Sequence, residues 1–324
     1  MDKYMIDVPV LLIFWKRYEI FKQTFEAVKK SKPSVLLFYQ DGPKGEEDID
    51  ELLKCRGLID SIDWQCKIYS HFNDENVGCD PNVYNAIKWA FERVDKCIIL
   101  EDDVVASFDF FRFSKEMLDK YEFDNRINMI CGMNTQMQIN RETSYIFSRF
   151  GSIWGWATWK RVIDQWDPTY GILNTYYVNN LLYYYPSKLE LNYALGKVKK
   201  HAKSKTAYHE SINLLSQISN YQLNIVPTVN LVKNIGLSND STHSTNDLKL
   251  LIKKQRILYN MDIYSMKFPL KHPKYITQDI SFDKHFKYNA FNKVMDTIKY
   301  QLLKVKYGRF DLILRVLFKN DKSN

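Results

Sequence analysis

The chain has 324 residues, 45% hydrophobic and 26% charged, enough for one large domain or two medium ones and too apolar to be disordered. Aromatics reach 15% against only 11 glycines, which excludes a Gly-rich architecture. The net charge of +8 is held unevenly: residues 284–324 carry ten Lys/Arg against three Asp, and the rest is nearly neutral at 36 against 35. The body is nearly neutral, and the basic tail expects an acidic partner, an anionic membrane ahead of a nucleic acid.

The first apolar run, residues 8–15, is too short to cross a bilayer, and acids precede it. Five cysteines, all within the first 131 residues and none in a CxxC pair, read as free thiols rather than a disulfide frame or zinc site. The expected location is cytoplasmic, peripheral on the inner face of the cell membrane if the tail binds lipid.

In chain order, the apolar runs are "VPVLLIFW" (8–15), "SVLLFYQ" (34–40), "CKIYSHF" (66–72), "KCIIL" (96–100) and "INMICG" (127–132). Continuous apolarity predicts strands covered on both faces, as in a parallel sheet. Helical patterns separate them. Asp80-Pro81 predicts a helix start, with Val83, Ile87, Phe91 and Val94 on its buried face. Ser107 predicts the cap of another helix, with Phe110, Phe111, Ser114, Met117 and Tyr121 inside. The expected fold is an α/β sandwich. Residues 221–244 read as a strand or two and a polar loop; helix returns near 246 and is broken by Pro269 and Pro273.

The strands run into Lys16-Arg17, into "QDGP" (40–43), into "NDENVGCD" (73–80) and into Glu101-Asp102-Asp103. In open α/β sheets, ligands sit beyond the carboxyl ends of strands. Three adjacent carboxylates need neutralising, and hard oxygens suit Mg²⁺ or Mn²⁺, with substrate phosphates completing the shell. A solvated acidic loop is the plain alternative. Strand alternation sets Asp102 opposite Glu101 and Asp103, unless the chain has already turned there.

"ILEDD" closing the fourth strand resembles the acidic motif of nucleotide-sugar-dependent glycosyltransferases of the GT-A fold. The stretches "PVLLIFWKR", "QDGP", "ENVGC", "FFRFSKEML", "WGWATW", "PTVNLVKNIG", "DSTHS" and "FPLKHP" resemble its bacterial hemolytic-protein-like sugar transferase branch, over roughly residues 8 to 285. The resemblance implies a mostly parallel central sheet flanked by helices, a catalytic domain over 1–246 (nucleotide half 1–135, acceptor half 136–246) and a helical extension over 247–324. It implies that Arg17, Asp41, Asn76, Glu101 and Asp102 hold the nucleotide, and that Asp103 and His243 bind the metal. It implies an inverting, metal-dependent transfer from a nucleotide-diphosphate donor, a UDP-sugar by expectation, to a hydroxyl of a glycan or lipid-linked saccharide. The base expectation falls on Glu210, where the branch's Trp-Asp is here His209-Glu210.

Four of seven tryptophans fall in residues 154–166. Flat aromatic faces pack on sugar C–H faces, so Trp154, Gly155 and Trp156 are expected at the acceptor and donor sugar, and Trp159 and Trp166 in the core of a following helix. The tail after residue 284 reads either as an amphipathic helix on an anionic membrane or as a helix packed on the domain. A sugar-1-phosphate nucleotidyltransferase would need a Gly-rich basic loop after the first strand, where "KRYE" has no glycine. A non-catalytic carbohydrate-binding protein would leave the strand-end acids unexplained.

Overall fold

A computed structural model describes residues 3–183, 188–204, 206–237, 257–259, 261–286, 299–300, 302–303 and 305–306. Strand β1 (Ile6–Phe14) is followed by α1 (Tyr18–Ser31), β2 (Pro33–Gln40), α2 (Ile49–Gly57), β3 (Lys67–Phe72), α3 (Cys79–Phe91) and β4 (Lys96–Glu101). Then come β5 (Val104–Ala106), α4 (Phe108–Lys120), β6 (Ile127–Cys131), β7 (Tyr145–Ser148), β8 (Trp156–Trp159) and α5 (Lys160–Ile163). The described fold continues with α6 (Lys188–Ser204), α7 (His209–Ser219), β9 (Leu223–Pro227) and β10 (Val232–Asn234). Eight strands form one sheet, ordered β3-β2-β1-β4-β8-β6-β9-β7, while β5 and β10 pair separately. Neighbours β3, β2, β1 and β4 run parallel; β8 runs against both β4 and β6, and β7 against β9. The sheet is therefore mostly parallel, as expected of its long apolar runs.

Both faces of this sheet are covered, which is why the strands are apolar throughout. Along β1, Val8, Val10, Leu12 and Phe14 enter one core with Phe21 and Phe25 of α1, Cys55 of α2, and Phe110, Phe113 and Met117 of α4. The alternate residues Leu11 and Ile13 enter a second core with Val83 and Ile87 of α3, Leu195 and Val198 of α6, and Ile212 and Leu215 of α7. Phe14 stacks on Phe21 with centroids 4.2 Å apart, so the strand end and the first turn of α1 are locked together. That contact fixes where residues 15–17 leave the sheet.

The third run departs from expectation. Strand β3 is the sheet edge and is largely exposed, with Lys67, Ser70 and His71 outward. Only β2 pairs with it, and its charged and polar residues suit an edge. Ser107 caps α4 as expected, its hydroxyl accepting from the Phe110 N–H at 3.2 Å. Helix α3 begins at Cys79, two residues before the expected first helical residue Pro81, because Gly78 rather than Asp80 takes the cap position, with φ +89 turning the chain into the helix.

Of the expected helical C-terminal extension, the stretch around the two prolines is described, and the break expected there is present. Residues 261–279 contain no helix, and Pro269 and Pro273 interrupt any helical run there. This segment packs on the domain instead of extending from it. The Tyr264 N–H donates to the Asn230 carbonyl at 2.9 Å, the Met266 N–H to Asp109 at 2.9 Å, and the Asp279 N–H to the Phe147 carbonyl at 2.8 Å. A short helical turn, Ile280–Asp283, then buries Phe282 and Asp283. Most of the basic tail lies outside the described residues. Among the described residues, no helix is long and apolar enough to cross a membrane.

Candidate active site

The parallel strands deliver Trp15–Arg17, Asp41–Pro43, residues 73–78 and Asp102–Asp103 to one edge of the sheet. Strand β4 ends at Glu101, and Asp102 and Asp103 lie in the turn before β5. The chain has thus turned at Asp102, which lets neighbouring acids meet the same cation. Arg17 donates from Nε to Asp102 Oδ2 at 3.1 Å, from Nη2 to Asp102 Oδ1, and from the same Nη2 to Asp103 Oδ2 at 3.0 Å. The Thr24 hydroxyl donates to the Asp102 carbonyl at 2.8 Å and pins the turn to α1.

Pairing of β5 with β10 brings a further residue to Asp103. Asn234 Nδ2 donates to Asp103 Oδ1 at 3.1 Å, and the Ile235 N–H to the Asp103 carbonyl at 2.8 Å. Gly236 comes so close that a Cβ there would stand 2.1 Å from Asp103 Oδ2. Glycine is required by that approach.

Burial pushes the Asp102 carboxyl up, Arg17 pulls it back and Asp103 pushes again, leaving it at about 6. Glu101 is pushed up to about 8, first by withdrawal from water and then by Asp103 and Asp102. The Glu101 carboxyl, unlike its backbone in the β1–β4 ladder, makes no hydrogen bond or ion pair among the described residues. Burial works against the Arg17 charge, but Asp102 and Asp103 reverse that and hold the guanidinium above its ordinary range.

Asp41 is buried, and five donors converge on its carboxylate. They are Gly42 N–H at 2.9 Å, Val77 N–H at 2.9 Å, Gly78 N–H at 3.1 Å, Asn76 Nδ2 at 2.8 Å and Asn73 Nδ2 at 3.3 Å. A carboxylate offers about four lone-pair directions, so Asp41 is saturated. Its part is to tie the β3–α3 loop to the end of β2. Asn76 is held in the same way, its amide also donating to the Gly42 carbonyl at 3.1 Å.

Glu210 opens α7, and Lys197 of α6 pairs with it at 2.6 Å. Burial raises the Glu210 carboxyl, but Lys197 outweighs it and holds the group below its ordinary value. The Glu210 charge is the weakest of the influences felt at Glu101, and α7 itself packs against α3 and α6. Cys79, at the start of α3, feels Glu101, Asp80, Asp102 and Asp103, which puts that helix start at the same cleft.

The tryptophan block divides differently from expectation. Trp156 belongs to β8, is buried, and sits in the core with Ile99 and Met129, so it does not line an open surface. Gly155 takes φ +63, and a Cβ on it would stand 2.8 Å from Val232, so it serves the approach of β10 to β8. Trp154 is half-buried with its ring 5.0 Å from Tyr259. Trp159 and Trp166 are core residues as expected, although Trp159 lies in β8 rather than a helix, its Nε1 donating to the Leu118 carbonyl at 2.9 Å. His243 lies outside the described residues.

Hard oxygens that keep lone pairs fit a divalent cation. Each Asp103 oxygen carries one donor and retains a lone pair, and Glu101 is unengaged. Among the described residues no three His, Cys, Asp or Glu groups could hold a metal by themselves. A cation here needs oxygens from a bound phosphate. Three site residues escaped the sequence reading: Thr24, Asn234 and Lys197. Asn234 stood in a stretch already singled out, "NLVKNIG", whereas nothing in spacing marked Thr24 or Lys197. No family model matches the chain, and no curated protein matches it.

Proposed function

We propose that this protein is an inverting, metal-dependent glycosyltransferase of the GT-A fold, using a nucleotide-diphosphate sugar, a UDP-sugar by preference, and a saccharide hydroxyl as acceptor. The observation that carries the reading is an acidic turn at one sheet edge in which Asp103 keeps lone pairs beside a Glu101 carboxyl with no partner, with the Glu210 charge felt at Glu101. The β2 and β3 ends, organised by Asp41 and Asn76, form the wall for the nucleoside. Arg17 supplies the only guanidinium in contact with the acidic turn among the described residues and is available to a phosphate. Asp103 is the metal ligand; when bound, the cation stabilises the charge that develops on the departing diphosphate.

Glu210 takes the proton from the acceptor hydroxyl through its carboxylate. Lys197 keeps Glu210 ionised at neutral pH, so it is competent as a base. A single base agrees with direct displacement and inversion. The acceptor is expected to be a surface glycan precursor, lipid-linked or free.

Calorimetry of UDP with and without Mn²⁺ tests the reading. Wild-type protein should bind UDP more tightly with Mn²⁺, and folded Asp103→Ala should lose that gain. Equal Mn²⁺ enhancement in the Asp103→Ala protein would remove Asp103 from the metal.

A further inference from the structure

We propose that Arg17 guards the cation position, keeping a divalent metal off Asp103 until a diphosphate draws the guanidinium away. The inference rests on the metal-dependent reading above. Nη2 of Arg17 donates to both Asp102 Oδ1 and Asp103 Oδ2, so one positive group already bridges the two acids.

The two halves of this bridge are unequal. Asp102 receives Nε as well as Nη2, and its backbone carbonyl is tied to Thr24. Asp103 receives one shared bond of 3.0 Å from Arg17. The Asp102 contact is the anchor, and the Asp103 contact is the one that can be released.

Asp103 itself is held in place. Asn234 grips one carboxylate oxygen, the Ile235 N–H grips its carbonyl, and any side chain at Gly236 would collide with the other oxygen. The Arg17 backbone is equally fixed, since its carbonyl accepts from Ile20 N–H at 3.1 Å and Phe21 N–H at 2.8 Å. The least-held link is the single Arg17–Asp103 bond. A guanidinium and a dication on one carboxylate oxygen repel each other. Metal entry at Asp103 is therefore opposed as long as Nη2 stays there, and a metal alone offers Nη2 no replacement acceptor.

A diphosphate does offer one. Its oxygens match the guanidinium fork and accept charge-assisted bonds. Binding of diphosphate and metal becomes mutually dependent through Arg17, and the dependence is reciprocal. The metal then enters the site together with the nucleotide rather than ahead of it.

The test is Mn²⁺ binding measured from the free-ion electron paramagnetic resonance signal, on wild type, Arg17→Gln and Arg17→Lys, with and without UDP. Removing the guard should tighten Mn²⁺ binding without UDP by about tenfold in Arg17→Gln, and shrink the tightening caused by UDP by a similar factor. A purely structural role for Arg17 would weaken Mn²⁺ binding instead. Folded Arg17→Gln that binds Mn²⁺ no more tightly than wild type overturns the inference. If Arg17→Gln does not fold, Arg17→Lys decides: about threefold or greater tightening supports the guard, and an unchanged affinity overturns it. Failure of wild type to bind Mn²⁺ even with UDP would overturn the metal-dependent reading itself, and the guard with it.

Discussion

Replacing Asp41 by Ala removes the acceptor for five donors while leaving the strand-end acids untouched. The Asn73 and Asn76 amides can turn to water, but the Gly42, Val77 and Gly78 N–H groups are fixed by the backbone. At about 1 kcal/mol for each stranded backbone donor, the loss is ~3 kcal/mol. With an unfolding entropy of roughly 2.1 cal/mol/K per residue, this chain should lose about 4 °C in melting temperature. Asp41→Asn should lose less, because one carboxamide oxygen still accepts. Thermal melts followed by circular dichroism read the shift, and UDP calorimetry on the same samples should show weaker binding from a loosened wall. An Asp41→Ala protein melting within 1 °C of wild type (about a quarter of the expected shift) would refute the staple role of this carboxylate.

Glu210→Gln should lower acceptor-dependent turnover by roughly 10²–10⁴-fold with UDP affinity nearly unchanged; undiminished transfer would exclude Glu210 as the base. Lys197 holds Glu210 below its ordinary value, and the base acts deprotonated, so activity falls as pH drops through the Glu210 value. Lys197→Met should move that acid limb to higher pH, and an unmoved limb would show that another group carries the proton. Asp279 offers a stability test at low pH. Burial raises its carboxyl, but Arg141, Ser281 and the Phe282 N–H outweigh that and hold it at about 2, against 3.8 ordinarily. Its contribution is present above the ordinary value and is lost as pH falls from about 4 to about 2. Asp279→Asn should flatten the melting-temperature profile in that window by on the order of 1 kcal/mol after solvent screening; a profile identical to wild type would mean the pair contributes nothing.

Much of the sheet was legible in the sequence because strands buried on both faces write continuous apolar runs, as β1, β2, β4 and β6 do. Strand β8 was not, since four residues of "WATW" are too short for periodicity, and its tryptophans suit a sugar site as well as a core. The acidic turn stood out as a candidate site in the sequence because three adjacent carboxylates repel one another. Its internal wiring was not legible: Arg17 and Asp102 stand 85 positions apart and Asn234 and Asp103 stand 131 apart, and nothing local encodes such pairings. Asp41 shows the same limit from the other side. An acid after a strand reads as a ligand contact, but only the fold reveals that loop N–H groups already fill its lone pairs.

The most direct measurement is release of nucleoside diphosphate from a panel of nucleotide-sugars incubated with the protein and Mn²⁺. Slow transfer to water reports the donor even with no acceptor present. The account predicts release from one donor class, abolished by a chelator and by Asp103→Ala. Folded wild-type protein that releases nothing from any donor, or release indifferent to both chelator and Asp103→Ala, would contradict it.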